Sequence, residues 1–138
     1  MSRCVRYVIM ILNEKWRKKM SLAVYWYPNC NSCKKAKKWL DENGLTYNLI
    51  HIVEDTPSEE EIRSLIEKSE LPPRRFFNTS GKVYREQNMK DKLKEATLDE
   101  MVSYLASNGM LIRRPIITDG KKVTVGFKEE IFAETWKQ

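Results

Sequence analysis

Cysteine and histidine are both scarce in this chain of 138 residues, which contains three cysteines and one histidine. Three cysteines do not form the disulfide framework of a small secreted protein, so a reducing cytoplasm is the expected compartment. A zinc ion needs about four ligands, and Cys30 and Cys33 could recruit only Cys4, His51 and scattered carboxylates. We therefore favour a redox role for this pair over zinc binding or inert packing, and we expect no metal.

Long apolar runs are missing as well. The run over residues 7–12 is too short to span a bilayer, and no small-residue cleavage site of a signal peptide follows it. No stripe of basic and aromatic residues favours direct binding of nucleic acid. The length and the apolar content of 41% suit one globular domain, and the net charge of +6 fits an anionic substrate, an acidic partner or merely a solvated surface.

Residues 1–19 differ in pattern from the rest of the chain. Five apolar side chains share one helical face and basic residues lie elsewhere; the five are Val5, Val8, Ile9, Leu12 and Trp16. A basic amphipathic helix can lie on a membrane surface, but we prefer a poorly ordered extension added by an upstream start codon. The domain then covers residues 20–138, Cys4 is incidental, and a chain that begins at Met20 should keep its stability.

The two remaining cysteines lie between a predicted strand and a predicted helix. Residues 22–27 are apolar, aromatic and β-branched, which predicts a buried strand, and residues 31–43 carry an apolar stripe opposite four lysines. Cys30 therefore lies at a helix N-terminus, where unpaired N–H groups stabilise a thiolate, and Lys34 adds positive charge one turn away. We expect Cys30 to be the nucleophile and Cys33 the less exposed, resolving thiol.

The rest of the chain predicts one further parallel strand, three helices, a hairpin and a closing helix. Residues 46–52 predict the strand, with His51 in a structural role. Capping boxes at residues 56–59 and 97–100 open two helices, and Met89, Leu93 and Ala96 lie on a short one between them. The buried faces are predicted to include Ile62, Leu65, Ile66, Phe76, Phe77, Leu98, Met101, Val102 and Leu105. Strands over 110–118 and 121–126 flank the Asp119-Gly120 turn, and a helix over 127–136 buries Ile131, Phe132 and Trp136.

Five motifs carry a family resemblance. They are Tyr27-Pro28-x-Cys30-x-x-Cys33-Lys34-Lys35-Ala36, Phe77-Asn78-Thr79-Ser80-Gly81, Lys90-Asp91-Lys92-Leu93, Gly109-Met110-Leu111-Ile112-x-Arg114-Pro115-Ile116 and Val125-Gly126-Phe127. Together, over residues 20–136, they resemble the arsenate reductase-like (ArsC/Spx) family. The resemblance implies an α/β, thioredoxin-like fold, βαβ…ββα, with an inserted helical subdomain.

The resemblance also implies residue roles. Cys30 matches the family's nucleophile, and Arg114 matches the oxyanion-binding arginine that directly precedes a proline. Pro115 would be the cis-proline that thioredoxin-like folds place against the active cysteine. A guanidinium can bind an oxyanion through two hydrogen bonds and also stabilise a thiolate, although a surface ion pair is the alternative for Arg114. Lys34 is a further candidate for binding the oxyanion.

Two functions follow from this reading, and both use a disulfide between Cys30 and Cys33. The first is a cytoplasmic, monomeric thiol-disulfide oxidoreductase without a bound cofactor, acting on a small oxyanion or another oxidised substrate. Its reductant would be external, such as thioredoxin or a low-molecular-weight thiol. The second is an Spx-type redox-sensing transcription regulator that binds the RNA polymerase α subunit, for which the disulfide is a switch.

Three positions depart from the family's better-known members. Ser80 and Gly126 align approximately with two further arginines of glutathione-dependent arsenate reductases, so we expect weak arsenate reduction. The polymerase-binding regulators carry a glycine where Pro72 aligns.

Overall fold

A computed structural model describes residues 21–137 of the chain. The predictions for residues 1–19 and for Cys4 lie outside this range. The strands are β1 (Leu22–Trp26), β2 (Tyr47–His51), β3 (Ile116–Thr118) and β4 (Val123–Val125). The α-helices are α1 (Asn31–Glu42), α2 (Glu59–Ser69), α3 (Lys82–Glu86), α4 (Met89–Lys92), α5 (Leu98–Ser107) and α6 (Glu129–Trp136), and 3-10 turns cover Pro73–Phe76 and Gly109–Leu111.

The four strands form one mixed sheet in the order β2-β1-β3-β4. Strand β1 pairs in parallel with β2, Val24 opposite Leu49, and antiparallel with β3, Val24 opposite Ile117. Strand β4 extends the sheet antiparallel to β3. This βαβ…ββα order, with α2–α5 inserted between its halves, confirms the predicted thioredoxin-like fold.

Side chains alternate across the sheet and build a core on each face. On one face, Val24 and Ile117 pack with residues of α1 and α6, including Leu40 and Phe132. On the other face, Tyr25 and Ile116 pack with residues of the inserted helices, among them Ile62, Leu65, Val102 and Leu105. Burial on both faces explains why β1 reads as a nearly continuous apolar run in the sequence. The same arrangement places the loop after β1 at one edge of the core.

Most predicted helix boundaries agree with the structure, but the first capping box is wrong. Helix α2 begins at Glu59, and its N-cap is Ser58, whose hydroxyl accepts from the Glu61 N–H at 3.2 Å. Thr56 instead donates its hydroxyl to the carbonyl of Ile52 at 2.8 Å, so it closes the preceding turn. The second box is confirmed, since Thr97 and Glu100 cap each other at the start of α5.

Three further details of the sequence prediction are wrong. Leu98 and Ile131 are 41% and 42% exposed. Leu98 is the first residue of α5, and Ile131 lies off the face of α6 that buries Phe132 and Trp136. The strand predicted over residues 110–118 is reduced to β3, because Asn108 caps a 3-10 turn by accepting from the Met110 N–H at 2.9 Å. The predicted burial of Phe76 and Phe77 is confirmed.

Candidate active site

Cys30 is the N-cap residue of α1. Its own N–H donates to the Tyr27 carbonyl at 3.1 Å, which closes the turn that leaves β1. Its Sγ accepts from the Cys33 N–H at 3.4 Å, in the place where a serine or aspartate oxygen usually caps a helix. The unpaired N–H groups of the first turn therefore face this sulfur and favour its thiolate form.

The pKa values of the two thiols are shifted in opposite directions. The hydrogen bond from the Cys33 thiol, reinforced by the Cys33 N–H and the Arg114 guanidinium, lowers the pKa of Cys30 to about 5 against the opposing effect of burial. The same thiol hydrogen bond, together with burial, raises the pKa of Cys33 well above its ordinary value. Cys33 is 1% exposed, whereas Cys30 is only partly buried, and both are free thiols. The reduced pair therefore consists of a thiolate at Cys30 and a protonated thiol at the more deeply buried Cys33.

Arg114 reaches the cysteine pair from the loop before β3. Its guanidinium carbon lies 5.0 Å from the centroid of the Tyr27 ring, and Nη1 donates to the Ile112 carbonyl at 3.4 Å. Its Nε is buried and has no hydrogen-bond partner within the described part of the chain. The Arg114–Pro115 peptide bond is cis. The guanidinium thus keeps most of its donors available next to Cys30.

A second segment, the loop after the Pro73–Phe76 turn, forms the opposite wall. It pairs with the segment before Arg114: the Arg113 N–H donates to the Phe76 carbonyl at 2.7 Å, and the Asn78 N–H donates to the Leu111 carbonyl at 2.8 Å. These bonds anchor the Phe77-Asn78-Thr79-Ser80-Gly81 motif beside the arginines.

A polar pocket of about 310 Å³ lies between these walls. Eight residues line it: Cys30, Ser32, Phe77, Asn78, Thr79, Ser80, Arg113 and Arg114. The side chains are mainly hydrogen-bonding ones, two are guanidiniums, and no carboxylate is among them. The pocket is therefore suited to a small anion placed next to a reactive thiolate.

The structure brings some of the predicted site residues together and separates one. Cys30 and Arg114 share the pocket, Cys33 lies buried behind Cys30, and Pro115 follows Arg114. Lys34 lines a different surface depression, together with Trp26, Lys37, Lys38, Asp41 and Glu42. Lys34 is thus not among the residues that line the anion pocket, because its position on α1 turns it to another side of the helix.

Arg113 and Ser32 line the pocket although neither was predicted from the sequence to be a site residue. The doublet Arg113-Arg114 was visible, but neighbouring residues of an extended segment usually point to opposite sides. In the structure both side chains line one pocket, because Arg113 and Arg114 lie in an irregular segment between the Gly109–Leu111 turn and β3 and not in a regular strand.

The described residues give no indication of a metal site. Within residues 21–137, no three histidine, cysteine, aspartate or glutamate side chains lie together. His51 instead accepts from the N–H groups of Val53 and Glu54 through Nδ1, at 3.2 and 3.1 Å. This structural role is the one predicted for it. None of the helices in this range is long and apolar enough to cross a membrane.

Comparison with known proteins identifies the family. The model of the ArsC family matches residues 25–135, a range that includes every residue lining the pocket. This chain belongs to the ArsC family. Similar sequences include the uncharacterized protein YusI of Bacillus subtilis (strain 168), which is 59% identical over 85% of this chain and 99% of YusI.

Two other similar proteins carry different functional descriptions. A crystal structure of a possible arsenate reductase from Streptococcus mutans UA159 is 42% identical, with a TM-score of 0.73, over 78% of this chain and 91% of that one. The global transcriptional regulator Spx 1 of Bacillus cereus is 32% identical over 79% of this chain and 82% of its own length. The chain is thus similar both to a possible arsenate reductase and to a global transcriptional regulator.

Proposed function

We propose that this ArsC-family protein is a thiol-disulfide oxidoreductase in which Cys30 is the nucleophile and Cys33 the resolving thiol. The observation that carries the proposal is the asymmetry of the pair. Cys30 is partly exposed at the N-terminus of α1 with a lowered pKa, and the buried Cys33 donates to its sulfur. An accessible thiolate with a second thiol within reach is the arrangement that thiol-disulfide exchange requires.

The proposed cycle begins with attack of the Cys30 thiolate on an oxidised sulfur of a substrate disulfide. The sulfur–sulfur bond of the substrate breaks, one half joins Cys30 as a mixed disulfide, and the other half leaves as a thiolate. Cys33 then gives up its proton, which neutralises a leaving thiolate, and attacks the Cys30 sulfur. The second half of the substrate leaves, so the substrate gains two electrons and the protein retains a Cys30–Cys33 disulfide.

An external thiol system completes the cycle. Two electrons from thioredoxin or a low-molecular-weight thiol would reduce the Cys30–Cys33 disulfide to the starting dithiol. Such reductants belong to the reducing cytoplasm, where a catalytic thiol pair is the usual use of a CxxC sequence.

The residues of the anion pocket indicate which substrates Cys30 would act on. Arg114 beside Cys30 would stabilise an oxyanion or the negative charge of a leaving thiolate. Ser80 lines the pocket, and Gly126 offers no side chain, at the positions aligned with further arginines of arsenate reductases. We therefore expect arsenate reduction with physiological thiols to be weak.

Intact mass spectrometry tests the proposal. Mild oxidation of the reduced protein should remove two hydrogens and protect Cys30 and Cys33 together from alkylation. When treated with a small disulfide, Cys33→Ser should instead accumulate a mixed disulfide at Cys30. The same treatment of Cys30→Ser should form no mixed disulfide at Cys33. Trapping at Cys33 in the Cys30→Ser protein, with none at Cys30 in Cys33→Ser, would reverse the two roles.

A redox-sensing regulator that binds the RNA polymerase α subunit is the second candidate. The similarity to the regulator Spx 1 favours it. Pro72, aligned with the glycine of the polymerase contact, is exposed at the start of the Pro73–Phe76 turn and is less adaptable than glycine. A pull-down with the purified α subunit, using reduced and oxidised protein, distinguishes the candidates: redox-dependent capture favours the regulator, and no capture favours the enzyme.

A further inference from the structure

The inference concerns Arg113 and Gly126, and it rests on the proposed function in that it specifies what the same pocket binds. Gly126 follows β4, has φ +81°, and donates its N–H to the Pro115 carbonyl at 2.8 Å. A Cβ atom at Gly126 would meet Nε of Arg113 at 3.2 Å and Nη2 at 3.4 Å. The guanidinium of Arg113 therefore packs directly over the glycine, in room that a side chain at this position would fill.

In the part of the chain that the structure describes, the guanidinium of Arg113 has no competing acidic partner. Within residues 21–137, no carboxylate lies within 4.0 Å of the charged groups of Arg113 or Arg114, whereas Arg63 pairs with Asp99 at 2.6 Å. Both arginines line the anion pocket, and Arg113 is only partly exposed. Two partly buried guanidiniums with no carboxylate partner in this range leave positive charge that the Cys30 thiolate neutralises only in part and that a bound anion can neutralise further.

The charge balance explains why a second arginine matters. The Cys30 thiolate cancels one positive charge, so Arg114 alone would leave the pocket close to neutral. With Arg113, the pocket keeps a net positive charge beside the thiolate. Ser32, Asn78 and Thr79 add neutral hydrogen-bonding groups on the other side.

We propose that Arg113 is the second anion-binding arginine of this pocket and that Gly126 makes room for it, so that an anion bound beside Cys30 contacts two guanidiniums rather than one. Arg113 lies in the irregular segment before β3, and its guanidinium occupies the room that a side chain at Gly126 would fill. Each guanidinium can present two parallel N–H groups to such an anion.

Sulfate is the probe for this proposal, since it keeps two negative charges at every working pH. Sulfate affinity is measured on the reduced full chain by calorimetry and by protection of Cys30 from iodoacetamide, with sodium chloride at matched ionic strength as the control for screening. Arg113→Ala should weaken sulfate binding about tenfold or more, because a charge-assisted bond is lost. Arg113→Lys should regain part of the affinity, and Arg85→Ala, which removes an exposed charge outside the pocket, should change it little.

A double-mutant cycle tests the link to Gly126. Gly126→Ala should weaken sulfate binding, and adding Arg113→Ala should cause little further loss, because one interaction cannot be removed twice. Sulfate binding by Arg113→Ala within twofold of the wild type would overturn the proposal, as would no binding by the wild type. If no Cys30–Cys33 disulfide forms but calorimetry still shows the dependence on Arg113, the proposed function fails and this inference stands.

Discussion

The guanidinium carbon of Arg114 lies 5.0 Å from the centroid of the Tyr27 ring, three residues before Cys30 in the chain. The other neighbour of this ring is His51, whose ring centroid lies 5.6 Å away in an edge-on arrangement. Nδ1 of His51 is occupied by two backbone N–H groups, so this ring is fixed. Tyr27 therefore connects a rigid end of β2 to the arginine that stabilises the Cys30 thiolate, and it acts as a positioning residue.

The first prediction follows from this contact. Tyr27→Leu should raise the pKa of Cys30, because Arg114 loses the aromatic face that holds it near the sulfur. A cation–π contact of about 0.5–2 kcal/mol corresponds to a pKa change of about 0.4–1.5 units at most. Tyr27→Phe keeps the ring and should keep the pKa. The pH dependence of Cys30 alkylation, with the site assigned by mass spectrometry, provides the measurement; a shift in Tyr27→Phe as large as in Tyr27→Leu would contradict this role.

The second prediction concerns the hydrogen bond between the thiols. The Cys33 thiol is the main cause that lowers the pKa of Cys30. Cys33→Ala removes this donor and should raise the pKa of Cys30, whereas Cys33→Ser supplies a hydroxyl donor and should restore much of the effect. In both proteins Cys30 should still react before any other cysteine. The same alkylation profile measures this, and an unchanged pKa in Cys33→Ala would show that the helix N-terminus and Arg114 suffice.

The fold was predictable because its signals are local. The apolar run of β1, the stripe of α1, the Asp119-Gly120 turn and the box at Thr97 each specify their own element. The failures occur where tertiary contacts decide. Ser58 and Thr56 both resemble N-caps, and only the carbonyl of Ile52, brought close by the turn after β2, determines which hydroxyl caps α2. Likewise, only packing shows that Phe132 is buried and Ile131 is not.

The candidate site was predictable to the extent that it lies on one segment or carries a family motif. Cys30 and Cys33 lie in a strand–helix loop, which sequence spacing reveals, and Arg114 is marked by the proline after it. Arg113 could not be found in this way, because its guanidinium lies over Gly126, which is thirteen residues further along the chain. Lys34 was a candidate for binding the oxyanion because it lies one helical turn after Cys30. Its side chain leaves α1 on another side of the helix and lines a different depression.

The third prediction separates the two arginines by their effects on Cys30. Arg114 contributes to the lowered pKa of Cys30 by charge and by a hydrogen bond. Arg114→Ala should therefore raise that pKa and reduce turnover, while Arg113→Ala should change the pKa less, because its guanidinium is held over Gly126. Alkylation profiles of both variants are compared with Arg85→Ala as the control for net charge. Equal, small changes in the pKa of Cys30 in the two variants would show that Arg114 has no special role.

The fourth prediction concerns stability and pH in the reduced protein. The folded-state pKa of Cys30, about 5, lies below its ordinary value of 9.0. Between these values the folded protein binds fewer protons at Cys30 than the unfolded chain does, so stability should rise with pH, be complete above pH 9.0 and be lost as the pH falls through 5. Cys33 has the opposite shift. It keeps its proton in the folded state, so its contribution is present below the ordinary pKa and is lost as the pH rises beyond it.

The reduced wild type should therefore become more stable from about pH 5 to 9 and less stable above that range. Cys30→Ser should lack the rise, since its hydroxyl does not titrate there, and the other titrating groups are common to both proteins. One proton limits the slope to about 1.4 kcal/mol per pH unit, and the partial exposure of Cys30 keeps it below this limit. Denaturant unfolding of both proteins in a phosphine reductant at several pH values measures the difference. Parallel stability curves for the two proteins would mean that Cys30 is not a thiolate in the folded state, and the proposed nucleophile would lose its physical basis.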